Sequence, residues 1–316
     1  MMIDVFLFSL NAVLPLILLV VIGYVIMRLK VVDDIFINKA NRFCFTVAFP
    51  FNLFNSIVRI DLENEVNWLL ISYVAVAVLI LFAILMIAVP RFVMDNRQRG
   101  ALIQGIYRGN FLLLGYPLAR NLFGEAGVGP TAMLLPVVII LYNVLATFVL
   151  EYYDDRSVKA NLGKVILSCL KNPLIIGAAL GVVFALLPWN LPIFLSRTVE
   201  DVGKIANPLA LILLGGQFNW KQAAGNTRLL LSAVAVRMVI VPLSVITIGV
   251  LLGFRGAELG AVFILFCAPT AVSSYIMAKN MNSDSDLAGQ IILVTTILSG
   301  FTLFLGAFVL RSLQLI

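Results

Sequence analysis

The sequence of 316 residues contains no histidine, and only 12% of its residues are charged. A proton relay inside a membrane usually runs through Asp, Glu or His side chains. None of the sixteen acidic residues falls at the centre of an apolar segment, so such a relay has no residues to use. The paired aspartates or HExxH ligands of an intramembrane protease are missing as well, and no base is evident that would activate a serine. We therefore expect neither an enzyme nor a cofactor.

Cysteine is scarce. Cys44, Cys169 and Cys267 lie in apolar runs or at their edges. An odd number of cysteines without metal-ligand spacing predicts neither a disulfide framework nor a zinc site.

Apolar residues are in excess: 62% of the chain is hydrophobic and its mean hydropathy is +1.07. A soluble domain would be nearer half apolar and a quarter charged. The composition thus predicts a polytopic membrane protein. The net charge of +6 then carries no indication of nucleic acid as a partner, because what matters is how the charge is divided between loops.

Apolar runs near the ~20 residues that cross a bilayer predict an all-α membrane protein. Ten spans are expected, at 5–27, 35–58, 68–89, 100–122, 128–152, 172–187, 193–218, 229–252, 256–279 and 287–310.

Basic residues set the expected orientation of these spans. Most of the 22 lysines and arginines fall on one side when the N-terminus is placed outside. Since cytoplasmic loops carry the excess of Lys and Arg, both termini are expected on the extracytoplasmic side of the cell membrane.

Each half has five spans, an odd number, so the two halves must have opposite orientations in the membrane. This arrangement predicts an inverted repeat. Residues 1–152 would form the first five-helix repeat, 153–171 a cytoplasmic linker and 172–316 the second repeat. Spans two and seven carry the related motifs Ala48-Phe-Pro-Phe and Ala206-Asn-Pro-Leu.

Spans four and nine are both interrupted, by GIYRGNFLLLGYPLARNLFG (105–124) and FCAPTAVSSY (266–275). A proline inside a helix removes a backbone hydrogen bond, and in lipid the freed carbonyl needs a partner in the protein or in a wet cavity. Interrupted spans in corresponding positions point to the substrate site of a transporter. The predicted substrate-binding residues are Arg108, Asn110, Tyr116, Pro117, Pro269, Thr270, Ser273 and Ser274.

Structural alternatives remain open for several of these residues. The hydroxyls of Ser273 and Ser274 can bond back to their own helix or help helices to pack. Arg108 and Arg237 are the charges placed within spans, each roughly 13 Å from a basic residue at the cytoplasmic end of its span. Arg108 can attract an anion or snorkel to the interface. For Arg237, snorkelling or a pair within the protein is favoured.

The segments GNFLLLGYPLARNLFGEAG, NPLALILLGGQF and APTAVSSYIMAKN resemble the auxin efflux carrier family in its short-loop bacterial form. The resemblance runs over essentially the whole chain. It implies a fold shared with plant auxin exporters and, more distantly, with bile-acid/sodium symporters. Spans 1, 2, 6 and 7 would form a scaffold, and spans 3–5 and 8–10 a transport domain.

The resemblance also implies that spans four and nine cross at Pro117 and Pro269, and that Asn110 is the asparagine of the family's broken-helix motif. Asn143, in span five, is expected to lie away from this crossing.

The function implied is a secondary active or potential-driven transporter of a small organic anion, a malate-like, malonate-like or auxin-like carboxylate. It would work by an elevator-type alternating-access mechanism. A sodium-coupled symporter of the bile-acid type and a non-transporting membrane receptor for an organic acid are the alternatives. The expected partners are the anion, the lipid bilayer, Na⁺ or H⁺ as a coupling ion and a second copy of the chain in a homodimer.

Overall fold

The computed structural model describes residues 2–58, 67–124, 127–154, 162–187, 191–217 and 227–316, without the side chains of residues 2–13, 116, 162, 164 and 165. Within these ranges the regular secondary structure is helical, which confirms the all-α class. The helices are α1 (Met2–Arg28), α2 (Asp34–Phe43), α3 (Phe49–Val58), α4 (Trp68–Phe92), α5 (Asn96–Tyr107), α6 (Phe111–Phe123), α7 (Gly129–Tyr152), α8 (Leu162–Lys171), α9 (Pro173–Leu186), α10 (Ile193–Gly216), α11 (Thr227–Ala235), α12 (Val241–Leu251), α13 (Gly256–Cys267), α14 (Ser273–Asn280) and α15 (Ser285–Ser312). One π-helical turn, Cys44–Ala48, joins α2 to α3, and another, Val236–Ile240, joins α11 to α12.

Among the described residues, four continuous helical segments are long and apolar enough to cross a membrane by themselves. They are Trp68–Phe92, Gly129–Tyr152, Thr227–Leu251 and Ser285–Ser312. These segments support a multi-pass membrane protein. Each of the other predicted segments also contains helix, but the number of ten spans, their repeat and their division into two domains stay predictions.

The predicted linker 153–171 is helical over its second half, where α8 contacts α7 and α9. Apolar residues recur there at positions 162, 165, 166, 169 and 170, the three- and four-residue spacing of one helix face.

Helices α1 and α10 pack closely along each other. Glycines make this approach possible, because a Cβ on Gly23 would overlap the carbonyl of Ile212 and a Cβ on Gly215 would overlap that of Val20. Helix α3 packs in a similar way along α9, with Gly177 against the backbone of Pro50.

The segments predicted as spans four and nine are broken into the pairs α5–α6 and α13–α14, and the two breaks meet. Gly109 and Thr270 face each other in an isolated antiparallel bridge. The amide of Asn110 donates to the carbonyl of Pro269 at 2.7 Å, and the amide of Ala271 donates to the carbonyl of Arg108 at 3.2 Å. Backbone hydrogen bonds therefore join the two breaks, and we call this meeting point the crossing.

The expectation that span four crosses at Pro117 is wrong. Pro117 lies inside α6, whereas the break is at Arg108–Asn110. The reason is steric. A Cβ at Gly109 would overlap the guanidinium of Arg237 and lie 2.9 Å from the carbonyl oxygen of Leu265, so only glycine permits this approach.

Candidate functional site

A small cavity lies beside the crossing. The break between α5 and α6, the start of α14 and one face of α7 line one side of it, and α3 and α10 line the other. The cavity volume accessible to water is about 40 Å³, enough for about three waters. Its polar lining consists of Asn52, Arg108, Asn110, Tyr142, Asn143, Asn207 and Ser273.

Arg108 supplies the charge of the cavity. It lies in extended backbone between the two half-helices, and its side chain is 3% exposed. Its Nη2 donates to Oδ1 of Asn143 at 2.7 Å, and its Nη1 contacts Sδ of Met277 at 2.8 Å. Both contacts are inside the protein, so the guanidinium does not snorkel. No carboxylate pairs with Arg108 among the described residues.

Two helix N-termini add to the positive character of this cavity. Helix α6 begins at Phe111, after Asn110, whose side chain makes no capping hydrogen bond. Helix α14 begins at Ser273 and also lacks a side-chain cap. The first N–H groups of a helix have no partner within the helix, and the helix dipole is positive at that end. In α14 the N–H groups of Ser274 and Tyr275 donate to the carbonyls of Ala271 and Val272 in the preceding turn, so α14 contributes chiefly through its dipole. Together with Arg108, these ends make a site suited to an anion.

The opposite wall of the cavity contains two asparagines that the sequence reasoning missed. Asn52, on α3, donates from Nδ2 to the carbonyl of Gly203 at 3.1 Å. Its Oδ1 is buried without a hydrogen-bond partner. Asn207 lies on α10. The available signal was the pair of motifs in spans two and seven, because each asparagine lies within two residues of the motif proline.

The predicted site residues separate into three groups in the structure. Arg108, Asn110 and Ser273 line the cavity. Pro269 and Thr270 belong to the crossing, where the Thr270 hydroxyl donates to the carbonyl of Gly105 at 2.6 Å. The remaining residues are elsewhere: Ser274 is buried outside the lining, Pro117 is exposed on α6, and the side chain of Tyr116 lies outside the described part of the chain.

The expectation that Asn143 lies away from the crossing is wrong. Helix α7 packs against both α5 and α6, so its face carrying Ile139, Tyr142 and Asn143 turns towards the break. The Nδ2 of Asn143 donates to the carbonyl of Ile139 at 2.7 Å, which leaves Oδ1 to accept from Arg108.

The comparison with known families decides the class of the protein. The model of the family described as "Membrane transport protein" matches residues 8–305. The chain belongs to this family. The match confirms the family resemblance seen in the sequence and indicates a transporter rather than an enzyme.

Two archaeal relatives of this membrane transport protein align over nearly their whole length. An uncharacterized transporter of Methanothermobacter thermautotrophicus is 25% identical over 308 residues, 97% of this chain and 100% of the relative. An uncharacterized transporter of Methanocaldococcus jannaschii is 21% identical over 313 residues, 96% of this chain and 99% of the relative.

Proposed function

We propose that this membrane transport protein is a secondary carrier of a small organic anion, a carboxylate of the malate, malonate or auxin type. The observation that supports the anion most strongly is Arg108. Its guanidinium lies beside two helix N-termini and has no carboxylate partner among the described residues.

A buried charge is costly unless it is paired and hydrogen-bonded. The contacts of Arg108 with Asn143 and Met277 use one nitrogen each, whereas a guanidinium carries five N–H donors. Donors therefore remain for a carboxylate, and arginine binds carboxylates through pairs of parallel hydrogen bonds. The side-chain amide of Asn110 and the hydroxyl of Ser273 add hydrogen-bonding groups on the same wall of the cavity.

The size of the cavity bears on the mechanism. The cavity is small, and a dicarboxylate would fit more readily with α3 and α10 farther from the crossing. An elevator movement of spans 3–5 and 8–10 against spans 1, 2, 6 and 7 would produce that separation. In this interpretation the structure represents a closed state of the carrier.

Uptake into proteoliposomes tests this function. Labelled malate, malonate and indole acetate would be offered with and without a potential imposed by a K⁺ gradient and valinomycin. We expect saturable uptake of at least one of these acids that responds to the potential. Uptake of none of them by folded protein, or uptake of neutral compounds alone, would contradict the anion assignment.

The matched variants for this assay are Arg108→Gln and Arg28→Gln. Arg28 lies at the exposed end of α1, where its Nε donates to the Tyr24 hydroxyl. The same chemical change is therefore made outside the cavity. Arg108→Gln should lower the initial rate at least tenfold, and Arg28→Gln less than twofold.

A further inference from the structure

Arg237 is the second charge predicted within a span. Unlike Arg108, it lies at the crossing without lining the cavity. It projects from the π-helical turn Val236–Ile240 and is 0% exposed. Its guanidinium donates to four backbone carbonyls: from Nε to Ala268 at 3.2 Å, from Nη1 to Ile106 at 3.2 Å and Tyr107 at 3.3 Å, and from Nη2 to Ala268 at 2.6 Å and Leu265 at 3.4 Å. The guanidinium also lies against the side chain of Tyr142. One side chain thus binds both broken helices.

All of these acceptors lie at helix C-termini. Helix α5 ends at Tyr107 and helix α13 at Cys267, and the last carbonyls of a helix have no partner within it. The dipole adds partial negative charge at each end. The crossing therefore has two electrical sides: the N-termini with Arg108 at the cavity, and the C-termini with Arg237.

Carbonyls at the C-terminal ends of half-helices are the groups with which many transporters hold a coupling Na⁺. Here the guanidinium of Arg237 already engages them on both broken helices. Gly109 fits this arrangement, because a Cβ at that position would overlap Nη2 of Arg237. The glycine at position 109 therefore leaves the space that the guanidinium of Arg237 occupies.

We propose that Arg237 is a tethered cation that takes the place of a coupling Na⁺ at the crossing. The carrier holds its two broken helices together without an ion from solution, and anion transport proceeds in the absence of Na⁺. The expectation that transport is independent of Na⁺ rests on the proposed function. The expectation that the parent protein binds no Na⁺ at the crossing does not depend on it. Arg237 is a positioning residue: it orients the half-helices whose N-termini face the substrate, and it does not line the cavity.

Three variants separate the charge of Arg237 from its volume. Arg237→Ser leaves carbonyls and space that a small cation can enter. Arg237→Met fills most of the space without charge. Arg237→Lys retains the charge but replaces the planar fork by a single ammonium, which reaches fewer carbonyls.

The transport test measures initial rates of anion uptake with Na⁺ replaced by choline at constant ionic strength. The parent should change less than twofold. Arg237→Ser should lose at least tenfold in choline and recover at least threefold with millimolar Na⁺ or methylguanidinium, whereas Arg237→Met should recover with neither. Arg237→Lys should lie between the parent and Arg237→Ser and remain independent of Na⁺. A parent that requires Na⁺, or an Arg237→Ser protein that transports at the parental rate in choline, would overturn the proposal. An Arg237→Ser protein that folds but recovers with neither cation would also overturn it.

Thermal unfolding of the purified parent provides a test that needs neither a substrate nor a variant. The midpoint should not shift with Na⁺ in a saturable way when choline is the reference ion. A saturable Na⁺-dependent shift in the parent would overturn the proposal even if no variant folds. If no anion is transported but the midpoint is independent of Na⁺, the proposed function fails while the tethered cation stands.

Discussion

The guanidinium of Arg108 and the side-chain amide of Asn143 are joined by a hydrogen bond of 2.7 Å from Nη2 to Oδ1. The amide of Asn143 is fixed by its own bond to the carbonyl of Ile139. A neutral acceptor of this kind holds the arginine in place without cancelling its charge. The full positive charge of Arg108 therefore remains available to an anion in the cavity.

Asn143→Asp should make the charge of Arg108 unavailable to an anionic substrate. A carboxylate at this position would form an internal ion pair with Arg108 and compete with the anionic substrate. We expect the Kd of the transported acid to rise at least tenfold, and more than in Asn143→Ala, which leaves the charge of Arg108 uncompensated. Calorimetry on detergent-purified protein that runs as a single species measures both. An Asn143→Asp protein that binds the acid as tightly as the parent would remove Arg108 from the site.

Asn110→Ala should weaken binding of the acid about tenfold to a hundredfold. A hydrogen bond to a charged group contributes ~1.5–3 kcal/mol, and each ~1.4 kcal/mol is a factor of ten in Kd. Asn55→Ala is the matched control, because Asn55 lies on α3 and does not line the cavity. If Asn55→Ala impairs binding and Asn110→Ala does not, the site lies elsewhere.

The helices and the existence of the two breaks could be predicted from the sequence, because apolar runs and helix-breaking residues are local signals. The position of the break in span four could not. Pro117 is tolerated inside α6, and the close approach that requires Gly109 depends on Arg237, more than a hundred residues later. Proline identity alone does not show which helix breaks.

The meeting of the cavity's asparagines could not be predicted from the sequence for a related reason. Asn52 and Asn207 on the opposite wall and Asn143 beside the break lie on three different helices and meet only through tertiary packing. Each also has an ordinary structural interpretation when considered alone, since polar side chains inside membrane proteins often bond between helices. The sequence shows the charge of Arg108, but it does not show that Asn143 is its hydrogen-bond partner.

Transport should show little pH dependence of its own. Among the described residues, the cavity lining contains no Asp or Glu; the chain has no histidine, and arginine stays protonated. At a fixed concentration of the substrate anion, we expect the initial rate to vary less than about twofold between pH 5.5 and 8. A steep transition at one pH for acids of different pKa would show that a protein group titrates during transport.

Gly215→Ala should destabilise the packing of α1 against α10. The new Cβ would overlap the carbonyl of Val20, and backbone cannot rotate away as a side chain does. Overpacking of this kind costs ~1–3 kcal/mol. Gly216→Ala is a close control, because its Cβ would overlap only the flexible end of the Ile37 side chain and would lie 3.6 Å from the nearest backbone atom, the carbonyl oxygen of Gly23. The midpoint of thermal unfolding should fall clearly for Gly215→Ala and less for Gly216→Ala, and equal shifts would contradict this account.

Cys169 provides a test of the predicted orientation. Cys44 and Cys267 are buried, whereas Cys169, on α8, is partly exposed. Burial raises the pKa of Cys169 to about 11, with Glu151 contributing in the same direction, so the reactive thiolate is scarce at neutral pH. Below that pKa the thiolate fraction rises tenfold per pH unit, and labelling should be about a hundredfold faster at pH 9 than at pH 7. A membrane-impermeant methanethiosulfonate should label the protein in inside-out vesicles and not in right-side-out ones, and Cys169→Ser should remove the signal. Labelling from the outside at pH 9 would place α8 outside the cell and contradict the predicted orientation.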